Sequence, residues 1–164
     1  LDLQAASKTE TNQLGYAFTR ETNGEPIVGF RDNNEIVTVL TANYNFTSRL
    51  NFSVRGRHYW DKVKYRSFFD VDSKGMLIPR GFLNGKDQNV NIFNVDAFLT
   101  WDFRLGSKII LGYKNWLGDG QLVSVSGANN YLHNLQKIFD LQHGNEFTVR
   151  FIYFLDYNQF RKTK

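Results

Sequence analysis

Between Asn145 and Tyr157 every second position from 147 onward is apolar. Phe147, Val149, Phe151, Tyr153, Leu155 and Tyr157 would line one face of an extended strand, with Glu146, Thr148, Arg150 and Asp156 on the other. Wound into a helix, the same residues would scatter around the axis. As a strand, the segment must place its apolar face against a protein core or against lipid.

The same period of two recurs upstream. In 35–46 one parity carries Ile36, Leu40, Ala42, Tyr44 and Phe46, and the other ends in Thr41, Asn43 and Asn45. In 50–65, Leu50, Phe52, Val54, Gly56 and Trp60 oppose Asn51, Ser53, Arg55, Arg57 and Asp61. In 90–104, Phe93, Val95, Ala97, Leu99, Trp101 and Phe103 oppose Asn94, Asp96, Thr100, Asp102 and Arg104. In 108–117, Ile109, Leu111 and Tyr113 oppose Lys108 and Lys114, with Gly112 between them. These segments predict five strands. The first 34 residues are less legible: Tyr16–Thr19 and Ile27–Phe30 have strand character ahead of a break at Asp32, Asn33 and Asn34.

The connections alternate in length. Thr47–Arg49 and Leu105–Gly106 predict tight turns, whereas 66–88 and 118–143 predict long loops, the second with a short helix over 130–139. Short turns at one end and long loops at the other are the asymmetry of an outer-membrane barrel, and place the tight turns and the C-terminus on the periplasmic side. The predicted fold is thus all-β, an antiparallel transmembrane β-barrel. Its lipid-facing wall is predicted to comprise Leu40, Tyr44, Phe52, Val54, Val95, Leu99, Trp101, Ile109, Leu111, Val149, Phe151 and Tyr153, and its lumen wall Arg55, Arg57, Asp96, Asp102, Lys108, Lys114, Glu146 and Arg150. Tyr44, Phe46, Trp101, Phe103 and Tyr157 are expected in an aromatic girdle at one rim, with Trp60, Phe93 and Trp116 toward the other.

Composition agrees with this reading where it speaks. Among 164 residues 16% are aromatic, only 2 are Pro and none is Cys, so thiolate metal sites, thiol nucleophiles and disulfides are excluded. No apolar run approaches the ~20 residues of a membrane-spanning helix. The net charge of +4 comes from cations spread along strands rather than gathered among stacking aromatics, so no nucleic-acid partner is expected. Five strands, with one or two more before residue 34, fall short of the roughly eight that a membrane barrel needs. The chain is therefore expected to be a piece, over 1–164, of one larger barrel domain.

The run Ile92–Asn115 and the closing Phe147–Tyr157 resemble the domain-of-unknown-function 5916 family, with the likeness covering about 35–160. The resemblance implies a carbohydrate-binding module of the family-9 type ahead of a large C-terminal outer-membrane barrel, of which residues 1–164 would be the C-terminal portion. It implies a location in the outer membrane of a Gram-negative bacterium, and lipid and possible partner subunits of an outer-membrane complex as neighbours. Phe147, Phe151, Tyr153, Leu155 and Tyr157 resemble the C-terminal signal read by the barrel-assembly machinery, although Asn158–Lys164 overhang it.

Other motifs carry less. Asp70, Asp72 and Gly75 match the opening of a calcium loop, but Gly81 stands where the bidentate Glu belongs. His58, His133 and His143 lack metal-site spacing, and the sequons at Asn45 and Asn51 fall in strands. No nucleophile and base, metal or phosphate-cradling pattern is present, so neither an enzyme nor a cofactor is expected. The expected role is an anchor or pore, linked through the implied module to glycan binding or uptake. The alternatives are a barrel subunit completed by a partner and a soluble β-barrel ligand-binding module.

Overall fold

The computed structural model describes residues 1–118 and 130–155. Seven antiparallel strands form a single meandering sheet: β1 (Asp2–Thr19), β2 (Pro26–Thr47), β3 (Leu50–Val71), β4 (Leu77–Arg80), β5 (Gln88–Arg104), β6 (Ser107–Leu117) and β7 (His143–Ile152). The order is β1-β2-β3-β5-β6-β7, with β4 paired to the far end of β3. The sheet is open, with β1 and β7 as its edges. A short helix, α1 (Tyr131–Lys137), continues as a 3-10 turn over Ile138–Asp140.

The five strands read from periodicity are all present, and both tight turns lie where the sequence places them. In the first, the Arg49 N–H donates to Thr47 Oγ1 at 3.1 Å. The helix also forms as expected, with the Asn130 side chain accepting the His133 N–H at 2.9 Å and so satisfying an otherwise orphan donor of its first turn.

The first third departs from expectation. β2 runs without a break through Asp32, Asn33 and Asn34. The run reads as a turn locally, but Asn33 and Asn34 pair on both sides, and Asp32, paired with Lys64 of β3, has its own task on the other. Across the sheet β1 bulges between Glu10 and Gln13, with Asn12 at φ 56, and the Asn12 N–H donates to Asp32 Oδ1 at 2.9 Å. β3 likewise runs past residue 65 to Val71, and β4 lies inside the stretch expected to be loop. β7 ends at Ile152, short of the expected 157.

At 22 residues each, β2 and β3 are about 70 Å long, roughly twice the 9–11 residues that cross a bilayer. Their far halves are built like a water-soluble protein. A core of Ala17, Ile27, Val63, Tyr65 and Phe68 gathers there, with Phe18 and Leu83 packed against it. Tyr65 and Phe68 stack at 5.1 Å between ring centroids, Phe82 adds a third ring, and Asp87 Oδ1 accepts the Tyr65 N–H at 2.9 Å. Burying each such large side chain stabilises by about 1.5–3 kcal/mol.

Candidate membrane and lumen surfaces

In an antiparallel sheet, directly paired residues share a face. The register therefore sorts the candidate residues without reference to their chemistry. One row runs Tyr44, Phe52, Leu99, Leu111, Val149 across β2, β3, β5, β6 and β7. The next toward the far end runs Ala42, Val54, Ala97, Tyr113, Phe147, and the one nearest the turns runs Leu50, Trp101, Ile109, Phe151. Leu40, Gly56 and Val95 share the same face one row further up. All the apolar candidates within the strands thus lie on one face, in one contiguous band. Tyr153, just past β7, joins it through the stack of Phe103, Phe151 and Tyr153, whose rings lie 12° to 22° from parallel for the Phe103 pairs.

The opposite face carries the charges. Its central row is Thr41, Arg55, Asp96, Lys114, Glu146, alternating in sign across four strands. Arg57, Asp102, Lys108 and Arg150 fall on the same face by parity. None of the ion pairs among the described residues involves this row. The side chains stand as neighbours one strand spacing apart.

The two faces differ in shape as well. The charged face holds a depression of about 750 Å³ lined chiefly by Ser53, Phe98, Thr100, Lys114, Glu146 and Arg150, against a dent of about 220 Å³ over Leu99, Trp101 and Ile109 on the apolar one. Two glycines on the charged face accommodate a large neighbour. A Cβ at Gly112 would lie 3.1 Å from the Phe98 ring, and a Cβ at Gly144 would collide with the Trp116 indole. Aromatic side chains lying over strand glycines allow the strands to lean together toward that side. Sequence periodicity marks Phe98 and Trp116 only as apolar residues; the glycine opposite each is the signal that separates them from the band.

Nothing among the described residues covers the band. Phe147 and Val149 are 78% and 75% exposed, and Leu40, Tyr44, Phe46, Trp101, Leu111 and Phe151 are exposed beside them. Above it, on the same face, the situation reverses. Tyr131 of α1 inserts between His58 and Trp60, with ring centroids 5.0 and 6.1 Å away, and its hydroxyl meets Thr38 Oγ1 at 2.9 Å. Beneath the helix, Trp60 Nε1 donates to Asn89 Oδ1 at 2.8 Å, Asn89 Nδ2 to Asn134 Oδ1 at 2.7 Å and Asn91 Nδ2 to the Asn134 carbonyl at 2.8 Å. His58 Nε2 meets Asn91 Oδ1 at 2.8 Å.

The expected upper girdle is corrected accordingly. Trp60 is 5% exposed under α1, and Trp116 lies on the opposite face across Gly144; Phe93 alone keeps its expected side. Near the tight turns, Tyr44 packs on Phe46 and Trp101 on Phe103. Of the residues expected in the assembly signal, Phe147, Phe151, Tyr153 and Leu155 are exposed, while Tyr157 lies outside the described residues, as do Asp156 and the overhang Asn158–Lys164.

The calcium-like run is occupied by the protein itself. Arg20 and Arg80 both pair with Asp70 Oδ1, and Asp72 Oδ1 accepts the N–H groups of Lys74 and Met76, each at 2.8 Å. Partial burial raises the Asp70 carboxyl, but hydrogen bonds from Arg80 and Arg20, with their charges, outweigh it and hold it below the usual carboxylate range. Asp32 is held low as well, by the Asn12 N–H and then by Arg66.

A family model described as a domain of unknown function, DUF5916, matches residues 1–164, reaching beyond the 35–160 read from motifs. No curated protein and no solved structure matches the chain.

Proposed function

The chain belongs to the DUF5916 family along its whole length, and we propose that it forms part of the wall of an outer-membrane β-barrel, acting as an anchor or pore. The apolar band contacts lipid, the charged face lines the lumen, and the turns after β2 and β5 lie on the periplasmic side. The observation that carries this reading is the row Tyr44, Phe52, Leu99, Leu111, Val149: five strands deep, apolar throughout, uncovered, and backed by a face of alternating charge. Soluble monomers rarely expose a contiguous apolar patch of more than a few hundred Å². A soluble ligand-binding module would need a second layer over this band.

The edges limit how the wall is completed. Among the described residues β1 and β7 each offer an unpaired row of backbone N–H and C=O groups, which lipid cannot satisfy. Further strands, from the same polypeptide or from a partner subunit, close the barrel in this reading. Glycan handling enters only through the module that the family resemblance implies upstream.

A pair of neighbouring substitutions tests the proposal. Leu99 and Thr100 are adjacent but face opposite ways. Leu99→Arg, in one of the two middle rows of the band, is expected to cost about 2–4 kcal/mol, and Thr100→Arg to be tolerated, as read by urea unfolding in liposomes. Equal tolerance of both removes the membrane reading.

A further inference from the structure

Trp60 and Trp116 leave the far margin of the apolar band without the aromatic pairs that the near margin has, and α1 occupies that margin. On this segment Asn134 and Ile138 turn toward the sheet, with Ile138 0% exposed. The remaining residues divide by spacing. Leu132, Leu135 and Phe139, at i, i+3 and i+7, share one flank, and His133, Lys137 and Asp140, at i, i+4 and i+7, share the other. Leu132 and Phe139 are each 68% exposed.

The apolar flank is the one beside the band. The Phe139 ring lies 6.3 Å from that of Phe93, and Phe93 in turn leans over Gly56, reaching within 3.6 Å of a Cβ placed there. Gly56 pairs with Leu40 and Val95 in the top row of the band. Apolar surface, half-buried at Val95 and Phe93 and exposed at Phe139, therefore runs from the band to the segment. The polar flank carries an ion pair, Lys137 Nζ to Asp140 Oδ2 at 3.1 Å, and lies away from it.

We propose that α1 and its 3-10 extension form an interfacial collar. On this assignment the segment lies along the outer-leaflet boundary with Leu132 and Phe139 among the upper acyl chains and glycerol groups, and His133 and Lys137 in the headgroup layer. This inference rests on the lipid-facing reading of the band. A segment anchored by Tyr131 and by the Asn89, Asn91 and Asn134 network presents a fixed apolar edge at a fixed depth, as interfacial helices and aromatic belts do. It thereby supplies the girdle that Trp60 and Trp116 do not.

Residues 1–164 contain no cysteine, so none in this segment competes for a label. Single cysteines at Leu132, Phe139, His133, Lys137 and Leu99 of the barrel completed by its further strands, inserted in phosphatidylcholine vesicles and spin-labelled, report accessibility to oxygen, which partitions into lipid, and to a water-soluble nickel chelate. The collar predicts oxygen-dominated relaxation at 132 and 139, shallower than at 99, and nickel-dominated relaxation at 133 and 137. Nickel-dominated relaxation at all four collar positions, with 99 still oxygen-accessible, overturns the collar and leaves the barrel reading standing. Loss of oxygen access at 99 overturns the barrel reading and the collar with it.

Discussion

The near and far halves of the sheet use the same alternation to opposite ends. Close to the tight turns, Leu111, Phe147 and Val149 project from the sheet into open surroundings. Beyond the row of Thr38, His58 and Phe93, large apolar side chains are buried: Ile27, Tyr65 and Phe68 under the loop that carries Phe82 and Leu83, and Trp60 under α1. The far half provides its own cover. The near half has none among the described residues, and on the reading proposed above the solvent that meets such a surface is hydrocarbon. Period two thus reports a strand with two different faces, and what lies over each face decides its environment.

Substitutions can break or sharpen this contrast. The largest effect is expected from Phe68→Ala, which empties the centre of the far core. A cost of about 3–5 kcal/mol is expected, read as faster hydrogen exchange in β3 beyond residue 63 and in β4, with the amides of β6 and β7 unchanged. A global loss of protection would show that the halves are one cooperative unit. Next is Leu99→Arg at about 2–4 kcal/mol, which should reverse the pattern by weakening the near half while the Phe68 core stays protected. Smaller is Asn134→Ala, at about 1–3 kcal/mol for the buried Asn89 amide left without its acceptor. Hydrogen exchange should then rise in α1 and around Trp60, and Trp60 emission should shift to the red.

The smallest effect concerns pH. Because the folded Asp70 carboxyl is held below its unfolded value, its contribution is fully present above the unfolded pKa and is lost as pH falls through the lower folded one. Acidification below about pH 4 is expected to loosen the Arg20–Asp70–Arg80 clasp and speed exchange in the β3–β4 hairpin, and Asp70→Asn should abolish that pH dependence. Faster exchange on raising the pH from 4 to 6, after correction for the intrinsic rate, would contradict it.

What the sequence revealed follows from where its chemistry is local. β3, β5, β6 and β7 alternate within themselves, so their faces could be read directly, and the two tight turns needed only their own residues. β1 could not be read in this way: Asp2, Gln4, Lys8 and Glu10 sit opposite Leu3, Ala5, Ser7 and Thr9, an uneven contrast that becomes a strand through pairing with β2. Asp32 resembles a turn former until the bulge at Asn12, some 20 residues away, supplies its partner. The upper girdle failed for a related reason: whether Trp60 meets lipid or protein depends on Tyr131, far along the chain. Cover is a tertiary property, and no window around Trp60 contains it.

The most direct test of the lipid-facing assignment is a cysteine and spin-label scan along β5 from Asn94 to Trp101, in the membrane-inserted protein. Oxygen access should peak at Val95, Ala97, Leu99 and Trp101, and access of the water-soluble chelate at Asn94, Asp96, Phe98 and Thr100, the two profiles being out of phase by one residue. A flat profile, or protection of 95, 97, 99 and 101 from both reagents, would mean that protein rather than lipid covers the band, and would contradict the account.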